Sequence, residues 1–161
     1  MRTILFVCSG NTCRSPMAEA IARHWLQHDA PESLRDVFVA SAGVSTVSGL
    51  PTSSGTLTAL QQMNIEHDGR SKGLTPEMIR KADYLLCMTS DHVHVAREII
   101  GDDPEHANKI MLLKPDADLE DPIGMGQDAY DRLARTLHKH VPQRIQELLA
   151  HENRTGIRSS G

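Results

Sequence analysis

The stretch Thr3-Ile4-Leu5-Phe6-Val7-Cys8-Ser9-Gly10-Asn11-Thr12-Cys13-Arg14-Ser15-Pro16-Met17 divides into three parts. Thr3–Val7 is a short, mostly apolar run cut off by polar Ser9, Gly10 and Asn11, which is the pattern of a strand buried on both faces. Ser15-Pro16 then opens a helix, with Ser suited to the N-cap and Pro to the first turn. Met17, Ile21 and Trp25 recur every fourth residue and give that helix an apolar face through about His28. Between strand and helix lies a seven-residue loop that starts at Cys8 and ends at Arg14.

Further along, the same alternation repeats. Val37–Ala40 reads as a second strand, followed by a Gly- and Ser-rich loop from Gly43 to Gly55. Leu57–Met63 reads as a helix, Glu66–Gly73 as a polar loop, and Thr75–Lys81 as another helix headed by Thr-Pro-Glu. Asp83–Met88 is a third strand, Ser90–Ile100 a helix and Lys109–Leu113 a fourth strand. From Gln127 to about Leu149 the residues Tyr130, Leu133, Leu137, Val141, Ile145 and Leu148 mark one helix face, which Pro142 is expected to kink or split. Four strands alternating with helices imply an α/β fold: a doubly wound, four-stranded parallel sheet with helices on both faces, in a single domain. That domain is expected over residues 1–150, with a polar, disordered tail over 151–161.

The bulk composition narrows the classes. The 161 residues are 39% hydrophobic and 24% charged, as in an ordinary globular domain. A net charge of −4 gives a nucleic-acid partner no electrostatic support. The opening apolar run is too short for a signal peptide, and no stretch is long enough to span a membrane. Three cysteines, Cys8, Cys13 and Cys87, argue against a disulfide framework and for the reducing cytoplasm. The nine histidines lack companions at metal-ligand spacing and read as surface residues, so no metal and no cofactor is expected.

In an open parallel sheet, ligands bind at the carboxyl ends of the strands near a topological switch point. A loop there can aim backbone N–H groups at an anion while the following helix adds positive potential. The segment lacks the Gly-x-x-x-x-Gly-Lys pattern of a nucleotide-binding loop. Its residue types point instead to thiol chemistry on a phosphate. Cys8 would be the nucleophile, its thiolate favoured by the loop dipoles and by Arg14. The planar fork of Arg14 suits two phosphate oxygens. Ser9, Gly10, Asn11, Thr12, Cys13 and Arg14 would together bind the phosphate, Gly10 by permitting unusual backbone angles. Ser15 would bond the thiolate. A leaving group needs a proton donor, and two Asp-Pro pairs compete for the role. Asp103 precedes the fourth strand and belongs at the opposite end of the sheet from Cys8, where a plain turn suits it. Asp121 follows that strand and lies on the Cys8 side; Asp118 and Glu120 are read as solvated neighbours. A non-catalytic phosphate-binding or redox-sensing module could use the same loop, but binding alone needs neither a thiolate nor an acid.

The segment Phe6 to Ala20 resembles the low-molecular-weight protein tyrosine phosphatase family, with Ser41-Ala42-Gly43 and Asp121-Pro122 placed as in that family. The resemblance covers roughly residues 2 to 150. It implies a metal-free reaction on phosphorylated proteins in two steps. Cys8 takes the phosphoryl group while Asp121 protonates the leaving group; Asp121 then serves as base for the water that hydrolyses phosphocysteine. It also implies that Ser41 supports Asn11. Tyrosine-directed members often carry a His shortly before a Ser-Arg pair in the middle loop. Here Gly69 precedes Arg70-Ser71, and His67 is displaced. Arsenate reductases of the same fold use a pair of further cysteines, which Cys87 alone cannot supply; Cys87 reads as core.

Within the family the chain looks most like the bacterial protein arginine phosphatases. Tyrosine-directed members commonly have an aliphatic residue at position 12 and an aromatic one after the Asp-Pro pair. This chain has Thr12, and Ile123-Gly124-Met125-Gly126 follow Pro122. Aromatic residues are 3% of the chain and none falls on the expected rim loops, Gly43–Gly55 and Asp121–Gly126, so a phenol ring would have nothing to stack on. The expected substrate is therefore protein phosphoarginine, with phosphotyrosine as the alternative. Cys13 shares the loop with Cys8, which allows a reversible, protective disulfide or a simple filling role behind the loop.

Overall fold

The computed structural model of the chain describes residues 1–101 and 103–155. Four strands, β1 (Arg2–Cys8), β2 (Val37–Gly43), β3 (Tyr84–Cys87) and β4 (Ile110–Leu112), form one sheet in the order β2-β1-β3-β4. All three pairings are parallel, with Cys8 opposite Gly43 in β2 and Val7 opposite Cys87 in β3. The chain leaves β1 towards β2 on one side and returns to β3 on the other. The carboxyl end of β1 is thus the switch point, and Cys8 sits on it.

The alternation of side chains across β1 splits the core in two. Ile4, Phe6 and Cys8 face α1 (Arg14–His28), α2 (Ser54–Gln61) and α6 (Gln127–Thr155). Leu5 and Val7 face the opposite layer, built from α3 (Pro76–Lys81) and α4 (Ser90–Ile99) with Ile79, Ala96 and Ile110. Ile4, Phe6 and Val7 are wholly buried, so β1 reads in sequence as an unbroken apolar run. A short α5 (Pro104–Ala107) leads into β4.

Three expectations are corrected. Pro142 does not split the last helix: α6 runs unbroken for 29 residues. A helix-interior proline costs about 3 kcal/mol. Leu137, Val141 and Ile145 flank it and are wholly buried, and about 1.5–3 kcal/mol per large apolar side chain outweighs that cost. The expected boundary at residue 150 is not the end of the ordered chain, because His151–Thr155 continue α6. Glu152 is buried there and pairs with Arg2 Nε at 3.0 Å, tying the end of the helix to the start of β1. Residues 156–161 lie outside the described residues. Finally, Ser15 is not the N-cap of α1. The helix starts at Arg14 with Cys13 at the cap and no side-chain cap bond, whereas Ser53, Thr75, Thr89 and Asp103 cap the next four helices with their side chains. The first-turn N–H groups of α1 are therefore left without a side-chain acceptor on the Cys8 side of the sheet.

Candidate active site

The shape of the Cys8–Arg14 loop follows from where its carbonyls go. Cys8 O accepts from Val44 N at 2.9 Å, Ser9 O from Ser45 N at 3.0 Å and Thr12 O from Ser53 N at 2.9 Å. Cys13 O accepts from Met17 N at 3.2 Å and from the Thr56 hydroxyl at 3.1 Å. With these carbonyls held outward, the peptide planes turn their N–H groups to the inside of the loop, where an oxyanion is met by dipoles rather than repelled. Gly43 makes the close approach possible: a Cβ there would lie 2.6 Å from Ser9 O.

Asn11 holds the loop from within. Its φ of 55° is left-handed, a conformation that Asn tolerates better than most residues. Its side chain, 2% exposed, donates through Nδ2 to Ser15 Oγ at 2.8 Å and to Ser41 Oγ at 2.9 Å. Its Oδ1 accepts from Lys72 N at 2.9 Å. Ser41 in turn donates to Glu19 Oε1 at 2.6 Å, and Arg23 closes on the other Glu19 oxygen. The network under Asn11 thus rests on Ser41 and Glu19. His67 stands beside it, half-buried against Gly69, and burial pushes its imidazole below the usual value while the nearby Glu19 opposes that shift.

Around the thiol the contacts are short. Cys8 Sγ lies 2.9 Å from Ser15 Oγ, so the hydroxyl read as a helix cap sits where it can donate to a thiolate. Arg14 is 5% exposed; its Nη1 donates to Leu119 O at 3.0 Å and its Nη2 lies 3.6 Å from Asp121 Oδ2. The β4 exit loop thus anchors the guanidinium and sets the carboxylate beside it. Asp121 Oδ1 accepts from Ile123 N at 3.1 Å, which leaves Oδ2 facing Arg14 from a side chain that is 44% exposed. Asp118 does different work: its carboxylate takes Ser90 N at 2.9 Å at the head of α4. Asp103 caps α5 at the opposite end of the sheet. There Asp103, Glu105 and His106 bring ligand atoms within 4.8 Å of one another, a mostly exposed group remote from Cys8.

Two neighbours of the loop are not among the site residues expected from the sequence. His92, read as a surface residue, is 5% exposed, and its Nε2 lies 2.8 Å from Ser9 Oγ. Burial first, and the charge of Arg14 second, push its imidazole down to about 4, so it is neutral at pH 7. Nδ1 has no partner among the described residues. An unpaired acceptor is cheaper than an unpaired donor, so the proton belongs on Nε2, which then donates to Ser9. Tyr130, read as a helix-face position and as the end of the Asp-Pro-x-Gly string that resembles the arginine phosphatases, packs its ring against Gly55, where a Cβ would meet it at 2.6 Å. Its hydroxyl is 3.6 Å from Cys13 Sγ, and burial followed by that contact raises its pKa above the usual tyrosine value. Cys13 Sγ also donates to Ser53 Oγ at 3.3 Å. All three cysteines are unpaired thiols, and burial in β3 pushes Cys87 up to about 12.

Cavity volume does not mark this site. A cleft of about 530 Å³ lies along the carboxyl-terminal half of α1, lined by Arg23, His24, His28 and Glu66, away from Cys8. The candidate site, the Cys8–Arg14 loop at the switch point, lies outside that cleft.

A doubly wound parallel sheet that presents a thiol inside an anion-binding loop at its switch point is the architecture of a small phosphatase. The chain belongs to the low molecular weight phosphotyrosine protein phosphatase family, which it matches over residues 3–154. A protein-arginine-phosphatase of Geobacillus stearothermophilus is 37% identical over 92% of this chain and 97% of that protein. The protein-tyrosine-phosphatase PtpB of Staphylococcus epidermidis is 30% identical over 80% of this chain and 86% of that protein. Among solved structures, the YwlE arginine phosphatase from Geobacillus stearothermophilus superposes with a TM-score of 0.80 at 35% identity, covering 94% of this chain and 95% of that one. No described helix is long and apolar enough to cross a membrane.

Proposed function

We propose that this phosphatase removes phosphoryl groups from arginine side chains of proteins through a phosphocysteine intermediate. Cys8 Sγ attacks phosphorus while the loop N–H groups and Arg14 hold the non-bridging oxygens. The P–N bond breaks, and Asp121 gives its proton to the departing guanidine nitrogen. Water then attacks the phosphocysteine as Asp121 takes a proton from it; the S–P bond breaks and inorganic phosphate leaves. Ser15, donating to Cys8, stabilises the thiolate as attacking and as leaving group. His92 orients Ser9 at the mouth of the loop. The three unpaired thiols suit a reducing cytoplasm.

The observation that carries the arginine reading is Thr12. Among the described residues its hydroxyl makes only a long contact, 3.8 Å to Cys13 Sγ, so it keeps its hydrogen-bonding capacity for a guanidinium nitrogen or the attacking water. The rim supports the same reading: the exposed residues after the Asp121-Pro122 pair are aliphatic Ile123 and Met125, and the ring described nearest the loop, Tyr130, packs on Gly55 with its hydroxyl towards Cys13. Phosphotyrosine is the competing substrate, favoured by the likeness to the staphylococcal protein-tyrosine-phosphatase.

The test is a side-by-side measurement of kcat/KM on phosphoarginine and phosphotyrosine peptides of one sequence. A preference for phosphoarginine of about tenfold or more is expected; equal or reversed constants defeat the arginine assignment. Cys8→Ser and Asp121→Asn serve as controls. Activity that survives Cys8→Ser defeats the mechanism for either substrate.

A further inference from the structure

Of the seven large apolar side chains exposed among the described residues, Met1 and Phe38 lie at the amino-terminal ends of β1 and β2. The other five, Val47, Leu50, Leu57, Ile123 and Met125, lie on segments that hold the Cys8–Arg14 loop. Val47 follows Ser45, whose N–H bonds Ser9 O, and Leu50 precedes Ser53, whose N–H bonds Thr12 O. Leu57 is on the first turn of α2, directly after that Ser53 cap. Ile123 and Met125 follow Asp121, and Gln127 Nε2 joins their loop to the head of α2 by donating to Gly55 O at 3.1 Å. The exposed apolar side chains are therefore gathered at the mouth of the catalytic loop. Scattered single residues need no explanation; a concentration around one opening marks a contact surface.

We infer that this aliphatic collar docks the substrate protein, and that it selects phosphorylated residues flanked by apolar, non-acidic side chains. The inference deepens the proposed reaction and rests on its substrate being a phosphorylated protein. Continuity fixes the occupant: any chain that places a phosphorylated side chain against Cys8 must lie over these residues. Charge narrows it further. Asp118, Glu120, Asp121 and Asp128 are all exposed along the β4 side of the mouth, and like charges there raise the cost of an acidic flank. Aliphatic contacts of this kind have no directional requirement, so they read the class of the flanking residues and not one sequence.

The experiment uses the full chain and peptides with one phosphorylated residue, flanked on both sides by Leu and Ile, by Ser and Gly, or by Glu and Asp. Each set is made with a phosphoarginine and with a phosphotyrosine centre. The apolar flanks should raise kcat/KM about tenfold over the Ser/Gly flanks, as partial burial of one or two aliphatic side chains yields, and the acidic flanks should lower it. Val47→Ser combined with Leu57→Ser should bring the apolar preference close to one. Hydrolysis of a small aryl phosphate, which does not reach Val47 or Leu57, should be unchanged. Constants that ignore the flanks overturn the inference, as does a preference that persists in the double variant. If the collar preference holds on phosphotyrosine peptides while phosphoarginine is not turned over, docking stands and the arginine assignment falls.

Discussion

Replacing Asn11 tests whether the catalytic loop is held from inside by one side chain. Asn11→Ala removes three hydrogen bonds of 2.8, 2.9 and 2.9 Å from a residue that is 2% exposed. At a net value of about 1 kcal/mol each, this costs about 3 kcal/mol. The residue also sits at φ 55°, and a Cβ-bearing residue without a local polar partner costs about 1 kcal/mol more there. The expected loss is thus about 4 kcal/mol, which a domain of ordinary stability survives. Asn11→Gly keeps the left-handed backbone and loses only the bonds, so it should lose about 1 kcal/mol less than the alanine variant. Urea unfolding followed by the fluorescence of Trp25 measures both. In catalysis, the loop N–H groups lose their fixed aim, and kcat for an aryl phosphate should fall about 10- to 100-fold in both variants. If Asn11→Gly unfolds at the wild-type urea midpoint and turns over at the wild-type rate, the side chain does not organise the loop. If the glycine and alanine variants are equally unstable, the left-handed backbone carries no cost and that part of the reasoning fails.

Thr12→Ile should shift the phosphoarginine to phosphotyrosine ratio of kcat/KM towards phosphotyrosine by about tenfold or more; an unchanged ratio removes Thr12 from the specificity argument. His92 gives the fold a pH dependence: with its imidazole at about 4 against 6.5 in the unfolded chain, the unfolded state binds the proton first, so stability is lost as pH falls from about 6.5 to about 4. Between pH 7 and pH 5 that loss is about 2 kcal/mol by urea titration, and it should vanish in His92→Asn; a wild-type slope retained in the variant refutes the assignment. Truncation after Ala150 removes the Glu152 carboxylate from Arg2, whose side chains are 10% and 16% exposed. The truncated chain should lose about 1–2 kcal/mol of unfolding free energy, and Glu152→Gln a smaller part of it; a truncated chain as stable as the full one refutes the expectation that α6 is anchored there.

The strands were legible because β1 and β3 are mostly buried on both faces and the edge strand β4 is wholly apolar, so each reads as a short apolar run with ends misplaced by only a residue or two. The loop proposed as the anion seat, residues 8 to 14, is local, so the chemistry proposed for it is written in consecutive residues. Asp121 needed topology as well, since only the direction of β4 separates it from Asp103. The residues that escaped notice act across the fold. Glu19 reaches the loop through Ser41, 22 positions away, and His92 reaches Ser9 across 83. Neither leaves a pattern near itself, because a helix that carries a buried Glu or His looks in sequence like one that exposes it. The reading of Ser15 as a cap and of Pro142 as a split failed in the opposite way, while the expected Ser15–Cys8 contact is present. Local rules made one a cap and the other a break, and tertiary contacts overrode both: the thiol at 2.9 Å claims the hydroxyl, and the buried Leu137–Val141–Ile145 stripe carries the helix through the proline.

The two kinds of residue also differ in how freely they can change. Asn11, Ser15, Ser41, Glu19 and Arg14 are each nine-tenths or more buried, and each is bonded to another element or to the loop itself. Altering any of them disturbs the anion seat and the fold together. Thr12, Ile123 and Met125 carry little of that burden. Among the described residues Thr12 Oγ1 has only its 3.8 Å contact, and the other two side chains are 60% and 48% exposed. Substitution there should therefore change stability by no more than about 0.5 kcal/mol, as at other surface positions. On this reasoning, phosphotyrosine and phosphoarginine enzymes can share one anion loop because the groups that recognise the leaving group are energetically separate from those that hold the phosphate. A Thr12→Ile variant that loses more than about 2 kcal/mol would show that the separation does not exist, since specificity could then change only at the expense of the loop.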